Sequence, residues 1–135
     1  MTTRANDSGA VLERLPFLSR LEPSLKELVV GLFQPRSFAF GETIVAQGDI
    51  PDGMYVLASG SARALVVHDG KEVTLARLQP GDWFGETALL DRTTRTATVR
   101  ASERVSALWL DRVVFDALLE LHPEVRGAFG NQARV

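Results

Sequence analysis

Glycines recur through the middle of this 135-residue chain and divide it into short segments. They stand at positions 41, 48, 53, 60, 70, 81 and 85. The segments between them, such as 53–59 and 62–68, are rich in β-branched and aromatic residues. Asp69-Gly70 lies between two such segments and is a strong signal for a two-residue hairpin turn. Many short strands separated by turns are typical of a β-sandwich or barrel.

Helical periodicity appears on both sides of this region. Residues 9–33 carry leucines at helical spacing, and Pro16 interrupts them. Asp111 can cap a second helical region, which is predicted for residues 111–133. The chain therefore begins and ends in helices, with the strands between them.

These patterns predict one α+β domain over residues 1–135. Its centre is expected to be an eight-stranded antiparallel β-roll, jelly-roll-like, at residues 35–110, flanked by N- and C-terminal helices. A chain of this length buries about two-thirds of its unfolded surface and needs no disulfide or metal to fold.

The composition excludes several classes of protein. The chain has no cysteine, which rules out a disulfide scaffold, a zinc–cysteine site and a thiol nucleophile. A net charge of −2 argues against direct binding to nucleic acid. The two histidines, His68 and His122, fall at a predicted hairpin tip and a helix end, so a multi-histidine metal centre of the cupin type is not expected. We expect no metal and no catalysis by this chain.

The apolar runs are short. The first residues hold no apolar run of the signal-peptide kind, and no later run approaches the length of a membrane span. A cytoplasmic location without a membrane span is expected.

The segment from residue 80 to residue 99 carries the chemistry. Gly85 permits a close backbone approach, and residues 86–90 can form a short helix whose first amides are unpaired and carry partial positive charge. Arg95 is expected to open the next strand, where its planar guanidinium suits a phosphate. Glu86 would repel a phosphate but can accept hydrogen bonds from sugar hydroxyls. An anion site beside a hydroxyl acceptor describes a sugar phosphate or a nucleotide.

This segment resembles the phosphate-binding cassette of cyclic nucleotide-binding domains. The family pattern is roughly F-G-E-x-A-L-L, a short loop, then R-x-A-x-V. The matching residues here are Phe84, Gly85, Glu86, Ala88, Leu89, Leu90, Arg95, Ala97 and Val99. The resemblance extends over about residues 12–125 and implies the β-roll fold.

The resemblance also implies a role for each cassette position. Arg95 would bind the cyclic phosphate, with the Ala88 amide and Thr96 beside it. The ribose would be held by Gly85, Glu86 and Thr87. The base pocket would be lined by Ala64, Leu75, Ala76 and Phe84.

The ligand implied is cAMP or cGMP, with cAMP favoured, and no other cofactor is expected. Thr96 could bond the guanine amino group, so cGMP stays open. Arg126, Phe129 and Arg134 are the candidates to cover the base. In the family, phosphate capture moves the C-terminal helices, and an effector reads that motion. The implied partners are therefore an effector domain or protein, or a second copy of the chain.

Two other interpretations stay open. Arg95 alone could be a surface arginine paired with Glu86, in a β-roll that binds no nucleotide and serves as a protein-interaction module. Val11, Leu12, Val125 and Phe129 could also form an apolar patch which, if exposed, would be a docking surface for an effector or a second copy of the chain, and such a surface is compatible with ligand binding.

Overall fold

The computed structural model describes residues 10–129. Residues 10–13 are helical and lead to α1 (Pro16–Ser19) and α2 (Pro23–Leu32). The strands are β1 (Gln34–Phe38), β2 (Thr43–Val45), β3 (Gly53–Ser59), β4 (Ala62–His68), β5 (Lys71–Leu78), β6 (Trp83–Phe84), β7 (Thr98–Ala101) and β8 (Val105–Asp111). The other helices are α3 (Glu86–Asp91), α4 (Arg112–Leu121) and a 3-10 helix (Pro123–Phe129). No helix in residues 10–129 is both long and apolar enough to cross a lipid bilayer.

The strands form two four-stranded antiparallel sheets. One has the order β1-β8-β3-β6 and the other the order β2-β7-β4-β5. The predicted α+β class with an eight-stranded antiparallel roll between helices is confirmed. The roll covers residues 34–111, so the expected limits of 35–110 are each one residue short. The cassette helix α3 likewise ends one residue later than expected.

The hairpin between β4 and β5 turns at Asp69 and Gly70, as predicted. Both residues have positive φ, 52° and 76° respectively. Two consecutive left-handed residues define the type I′ turn, whose twist matches that of the flanking strands. Further along the hairpin the register shifts between Ala64 and Leu65, which leaves Leu75 as the extra residue on β5.

Two apolar clusters hold the domain together. The first lies between the sheets and includes Leu57, Phe84 and Val99. The second joins the helices to the outer side of β3 and β8. Trp83 belongs to the second cluster and its neighbour Phe84 to the first, because successive side chains of a strand point to opposite faces. The short strand β6 thus anchors the start of the cassette in both clusters.

Three phenylalanine rings connect the two ends of the described chain. The ring centroid of Phe129 lies 4.6 Å from that of Phe17 and 5.6 Å from that of Phe115. The C-terminal 3-10 helix is therefore packed onto α1 and α4 rather than standing away from the roll.

The expected apolar patch at the chain ends is not a surface. Val11, Leu12, Val125 and Phe129 are all buried in the helical cluster. The hypothesis that this patch is an exposed docking face is therefore wrong, since each half of it covers the other.

We expect Phe129→Ala to lower the free energy of unfolding by about 3–5 kcal/mol, because it removes a ring that fills the space between two others. Urea denaturation of the two proteins measures the difference. Phe40→Ala is the matched control. Phe40 is 78% exposed whereas Phe129 is 1% exposed. Loss of the Phe40 ring should therefore change the unfolding free energy by less than about 0.5 kcal/mol. Equal effects of the two substitutions would contradict the packing of the 3-10 helix.

Candidate functional site

Two charged side chains are fully buried in the part of the chain that the structure describes. They are Glu86, 1% exposed, and Arg95, 4% exposed. Both lie in the segment predicted to carry the chemistry. Glu86 begins α3, but Arg95 does not open a strand as expected. It precedes β7 by three residues, in a loop held by its own hydrogen bonds.

The backbone of Arg95 is bonded to the loop between β2 and β3. Its N–H donates to the carbonyl oxygen of Asp49 at 2.8 Å, and its carbonyl accepts from the N–H of Gly48 at 2.8 Å. This pairing continues the contact of β2 with β7 beyond the end of the strands. These two bonds therefore fix the backbone of Arg95 independently of the contacts of its side chain.

The guanidinium of Arg95 bonds to three protein acceptors. Nη1 donates to the carbonyl oxygen of Gly85 at 2.7 Å. Nη2 donates to the carbonyl oxygen of Gly53 at 2.8 Å and to Oδ1 of Asp52 at 3.0 Å. A guanidinium has five N–H donors, so two of them have no acceptor among the described residues.

Glycine is required at both carbonyls that meet this side chain. Gly85 has φ 92°, and a Cβ there would lie 2.7 Å from Nη1 of Arg95. A Cβ on Gly53 would overlap the backbone carbonyl of Leu110 and the indole of Trp109. A side chain at either position would push apart the elements that enclose Arg95.

The ion-pair partner of Arg95 is Asp52, and not Glu86 as the surface-arginine interpretation expected. That interpretation is wrong on both counts, since the arginine is buried and its partner lies in another loop. Burial lowers the pKa of Arg95, and the charge and hydrogen bond of Asp52 oppose this effect. Tyr55 lies beside the pair, and burial together with the Asp52 charge raises the pKa of its hydroxyl to about 12.

Glu86 has no comparable set of partners. Its Oε1 is buried and accepts no hydrogen bond within residues 10–129. Burial raises the pKa of this carboxyl to about 7, against the weaker opposing effects of its own backbone amide and the Arg95 charge. A buried acceptor without a donor is costly, and it marks a place where an incoming hydroxyl group could bond.

The other predicted phosphate and ribose residues surround this pair. Ala88 is buried in α3, Thr87 is half-buried, and Thr96 is exposed immediately after Arg95. The structure thus brings together the predicted cassette residues, and their individual roles stay predictions.

The four predicted base-pocket residues differ in exposure. Ala64 and Ala76 pair across β4 and β5, and Phe84 stacks on Tyr55 with ring centroids 5.3 Å apart. These three pack in or against the cluster between the sheets. Leu75 is 51% exposed, in the run of exposed residues that begins β5. Their assignment to a base pocket stays a prediction.

Two cavities flank the loop that carries Arg95. One, of about 200 Å³, is lined by Arg95, Asp49 and Asp52 among others. The other, of about 250 Å³, lies toward α4 and is lined by Ala88 and residues 92–94 among others. Ile50 is among the residues that line both cavities.

The three candidates to cover a base have different positions. Phe129 is packed in the helical cluster between Phe17 and Phe115, so its assignment as a base cover is wrong for this arrangement of the helices. Arg126 donates from Nη2 to the carbonyl oxygen of Leu90 at 3.0 Å, in the last turn of α3. Arg134 lies outside the described residues.

Sequence reasoning missed Asp52 and Gly53. The glycine pattern marks this position only as a boundary between segments, whereas both residues supply acceptors to Arg95, which lies 43 and 42 residues further along the chain. No local spacing reveals such a contact. The available signal was the need for a counter-charge near an arginine that follows a buried cassette.

Comparisons with known proteins agree on one family. The family model described as "Cyclic nucleotide-binding domain" matches residues 35–122, more than half of the chain. A cAMP-dependent protein kinase regulatory subunit from Emericella nidulans is 39% identical over 110 residues, covering 82% of this chain and 26% of that protein. The Cyclic AMP receptor protein of Thermus thermophilus is 39% identical over 111 residues, covering 82% of this chain and 51% of that protein.

Solved structures show the same likeness. The regulatory domain of Toxoplasma gondii PKA, crystallised with cAMP, superposes with a TM-score of 0.78 at 27% identity, covering 87% of this chain and 45% of that chain. The chain spans between about a quarter and a half of the length of the curated relatives it matches.

We expect the buried carboxyl of Glu86 to make the unfolding free energy fall as the pH rises. Its pKa is raised from 4.5 to about 7 on folding, so its stabilising protonated form is fully present below pH 4.5 and is lost as the pH rises through about 7. Glu86→Gln carries no charge and should be more stable than the original protein by roughly 1–3 kcal/mol near pH 8. The pH-dependent part of this difference should vanish near about pH 4. Urea denaturation across this range measures it.

Glu72→Gln is the matched control. Hydrogen bonds from Arg100 and Arg63 lower the pKa of Glu72. Its contribution to the pH dependence of the unfolding free energy is therefore confined to pH values at and below the ordinary pKa of glutamate. This variant should keep the original slope of unfolding free energy between about pH 5 and pH 8. The same slope in Glu86→Gln would show that no carboxyl with a raised pKa is buried at this position.

Proposed function

The chain belongs to the cyclic nucleotide-binding domain family, and we propose that it is a regulatory domain that binds cAMP between Arg95 and Glu86. The observation that carries the proposal is the buried pair itself, a cation with unused donors beside a carboxyl oxygen with no donor. Two curated relatives are named for cAMP, one a kinase regulatory subunit and the other a receptor protein.

Arg95 supplies the positive charge for the cyclic phosphate. Three of its five N–H donors hold it in place, and the remaining two can bond an anionic oxygen. Because Asp52 already balances part of its charge, a bound phosphate would compete with that carboxylate. The Ala88 amide and Thr96 would add neutral donors, and the guanidinium would provide most of the attraction.

Glu86 supplies the acceptor for the ribose. The 2′-hydroxyl of a bound nucleotide would donate to Oε1 and satisfy the buried oxygen. Gly85 and Thr87 flank this carboxyl and would contact the same sugar. Ala64, Leu75, Ala76 and Phe84 would provide an apolar surface for the base.

We favour cAMP over cGMP. Thr96 is exposed next to Arg95 and is the cassette residue able to bond a guanine amino group, so cGMP binding would depend on this hydroxyl. Titration with both nucleotides decides the order of their affinities.

The effector would sense the ligand through the C-terminal helices. Leu89 of α3 packs in the helical cluster with Phe115 and Val125, and Arg126 bonds the carbonyl oxygen of Leu90. The N–H of Arg112 also donates to the carbonyl oxygen of Asp52 at 2.9 Å, which links the partner of Arg95 to the start of α4. A shift of α3 or Asp52 on binding would thus reach the helices, and through them an effector or a second copy of the chain. No catalysis by this chain is part of the proposal.

The alternative, a β-roll that binds no nucleotide, accounts for only half of the site. Arg95 could serve the fold alone, because it joins three acceptors. The unpartnered oxygen of Glu86 has no such structural use, which favours the ligand-binding function.

Calorimetric titration of the original protein with cAMP should show saturable one-to-one binding at micromolar affinity or tighter, equivalent to about −8 kcal/mol. Arg95→Lys should weaken it about 30-fold, because lysine keeps the charge but loses the planar, bidentate donor set. Lysine is preferred to alanine as the test, since alanine would leave the two buried carbonyl oxygens of Gly85 and Gly53 without this donor.

Arg63→Lys is the matched control. Arg63 lies on the outer side of β4 in an ion pair with Glu72, outside the cassette. Its substitution should leave the cAMP affinity unchanged. Unchanged affinity in folded Arg95→Lys would remove the phosphate role of Arg95. Absence of binding in the folded original protein would favour the interaction module.

Arg126→Ala should weaken the coupling between ligand and helices more than the binding itself. Amide hydrogen exchange of residues 123–129 is expected to change when cAMP binds the original protein. In Arg126→Ala that change should shrink, while the cAMP affinity stays within about tenfold of the original value, because the side chain contacts α3 and not the buried pair. Arg104→Ala, an exposed arginine before β8, serves as the control. An undiminished response in Arg126→Ala would show that the coupling does not pass through this bond.

A further inference from the structure

The cavity between α3 and α4 lies next to the site around Arg95 and Glu86. Its volume is about 250 Å³, and neither Arg95 nor Glu86 lines it, although Ala88, which is assigned to the cyclic phosphate above, does. Its walls come from the turn at residues 92–94, from Ile50 and Pro51, and from the first turns of α4. Ile50 lines both this cavity and the one beside Arg95, so a molecule bound here would lie next to the proposed nucleotide.

Two arginines and two threonines form the polar wall of this cavity. Arg92 has no ion pair and no side-chain hydrogen bond among residues 10–129. Arg112 is only loosely held, with 3.9 Å from Nε to Oδ2 of Asp116 and 3.4 Å from Nη1 to the carbonyl oxygen of Pro51. Two cations and one carboxylate among the lining residues leave an excess of positive charge, and Thr94 adds a hydroxyl donor. The hydroxyl of Thr93 already donates to the carbonyl oxygen of Thr94 at 3.2 Å.

The backbone of Arg92 is in a conformation that arginine does not favour. Its φ is 54° and its ψ is 47°, in the left-handed region at the end of α3. Glycine is the usual residue at this position of a helix, because a Cβ is strained there. An arginine here accepts that strain and places its charge at the cavity, which indicates a use for the side chain.

Other residues that line the cavity are apolar, and we call them its apolar wall. They include Ile50, Pro51 and Leu89, and Ile50 is largely exposed to solvent although it is a large apolar side chain. A bare inorganic anion would leave this wall uncovered. A molecule that joins an anionic group to a small apolar body would contact both walls.

We propose that this cavity is a second ligand site, which binds a small phosphomonoester with its phosphate between Arg92 and Arg112 and its organic part against Ile50 and Leu89. Guanidinium groups suit a phosphate dianion, which can accept several charge-assisted hydrogen bonds. Arg92 ends α3 and Arg112 begins α4, so an occupant joins the cassette helix to the first C-terminal helix. Occupation of this site therefore adds a second input to the same helices.

The test is a titration of the full chain, free of cyclic nucleotide, with phenyl phosphate and separately with inorganic phosphate. Backbone amide chemical shifts are recorded near pH 8 at constant ionic strength, so that both anions are mainly dianionic. Phenyl phosphate should bind at least threefold more tightly than inorganic phosphate and shift the amides of residues 92–94 and 112–116. Arg92→Ala should weaken its binding at least tenfold, and Arg104→Ala should leave it unchanged.

Arg95→Lys separates this site from the proposed nucleotide site. Phenyl phosphate binding should persist in Arg95→Lys, whatever that variant does to cAMP binding. Loss of binding in Arg95→Lys with retention in Arg92→Ala would overturn the proposal, because the anion would then occupy the site beside Arg95. No shift of residues 92–94 at saturating phenyl phosphate would also overturn it. Because the readout uses no cyclic nucleotide, its failure is distinguishable from failure of the cAMP proposal.

Discussion

The burial of the Arg95 guanidinium is the constraint on which the geometry of this domain depends. A buried cation is tolerated only with acceptors around it. Here they come from the loop before β3 and from the residue before α3, and the backbone of Arg95 bonds the same loop. The two sheets must close on each other before these groups can meet. The contacts of Arg95 therefore form only in the folded arrangement of the two sheets.

Glu86 differs from Arg95 in how far its hydrogen-bonding groups are satisfied. The protein satisfies the positive member of the buried pair through Gly85, Gly53 and Asp52, and it leaves one oxygen of the negative member, Oε1 of Glu86, without a donor. One group is therefore fixed in advance, and the other keeps an unused acceptor. This asymmetry is expected of a binding site. A preorganised charge positions the ligand, and an unsatisfied acceptor adds affinity for a ligand that carries a matching donor.

The sequence predicts most of the architecture because the relevant signals are local. Asp69-Gly70 favours one turn type, and Asp111 caps its helix by accepting from the N–H of Val113. Cassette residues also stand close together in the chain, so their proximity follows from their spacing. The partners of Arg95 could not be predicted in this way, because Asp52 lies 43 residues before it in the chain. The exposure of Leu75 and the burial of Phe129 likewise depend on tertiary structure, since β5 lies at the edge of its sheet and Phe129 packs against Phe17, and no local sequence pattern shows either.

The long sequence separations around Arg95 have a kinetic consequence. Contacts between residues so far apart are costly to form early, because a long loop must close before the contact repays it. The Arg95 contacts with Asp52 and Gly53 are expected to form late, after the folding barrier has been crossed. A ligand held by those groups would then leave the folding rate almost unchanged and slow unfolding instead. The occupied domain would differ from the empty one chiefly in its lifetime.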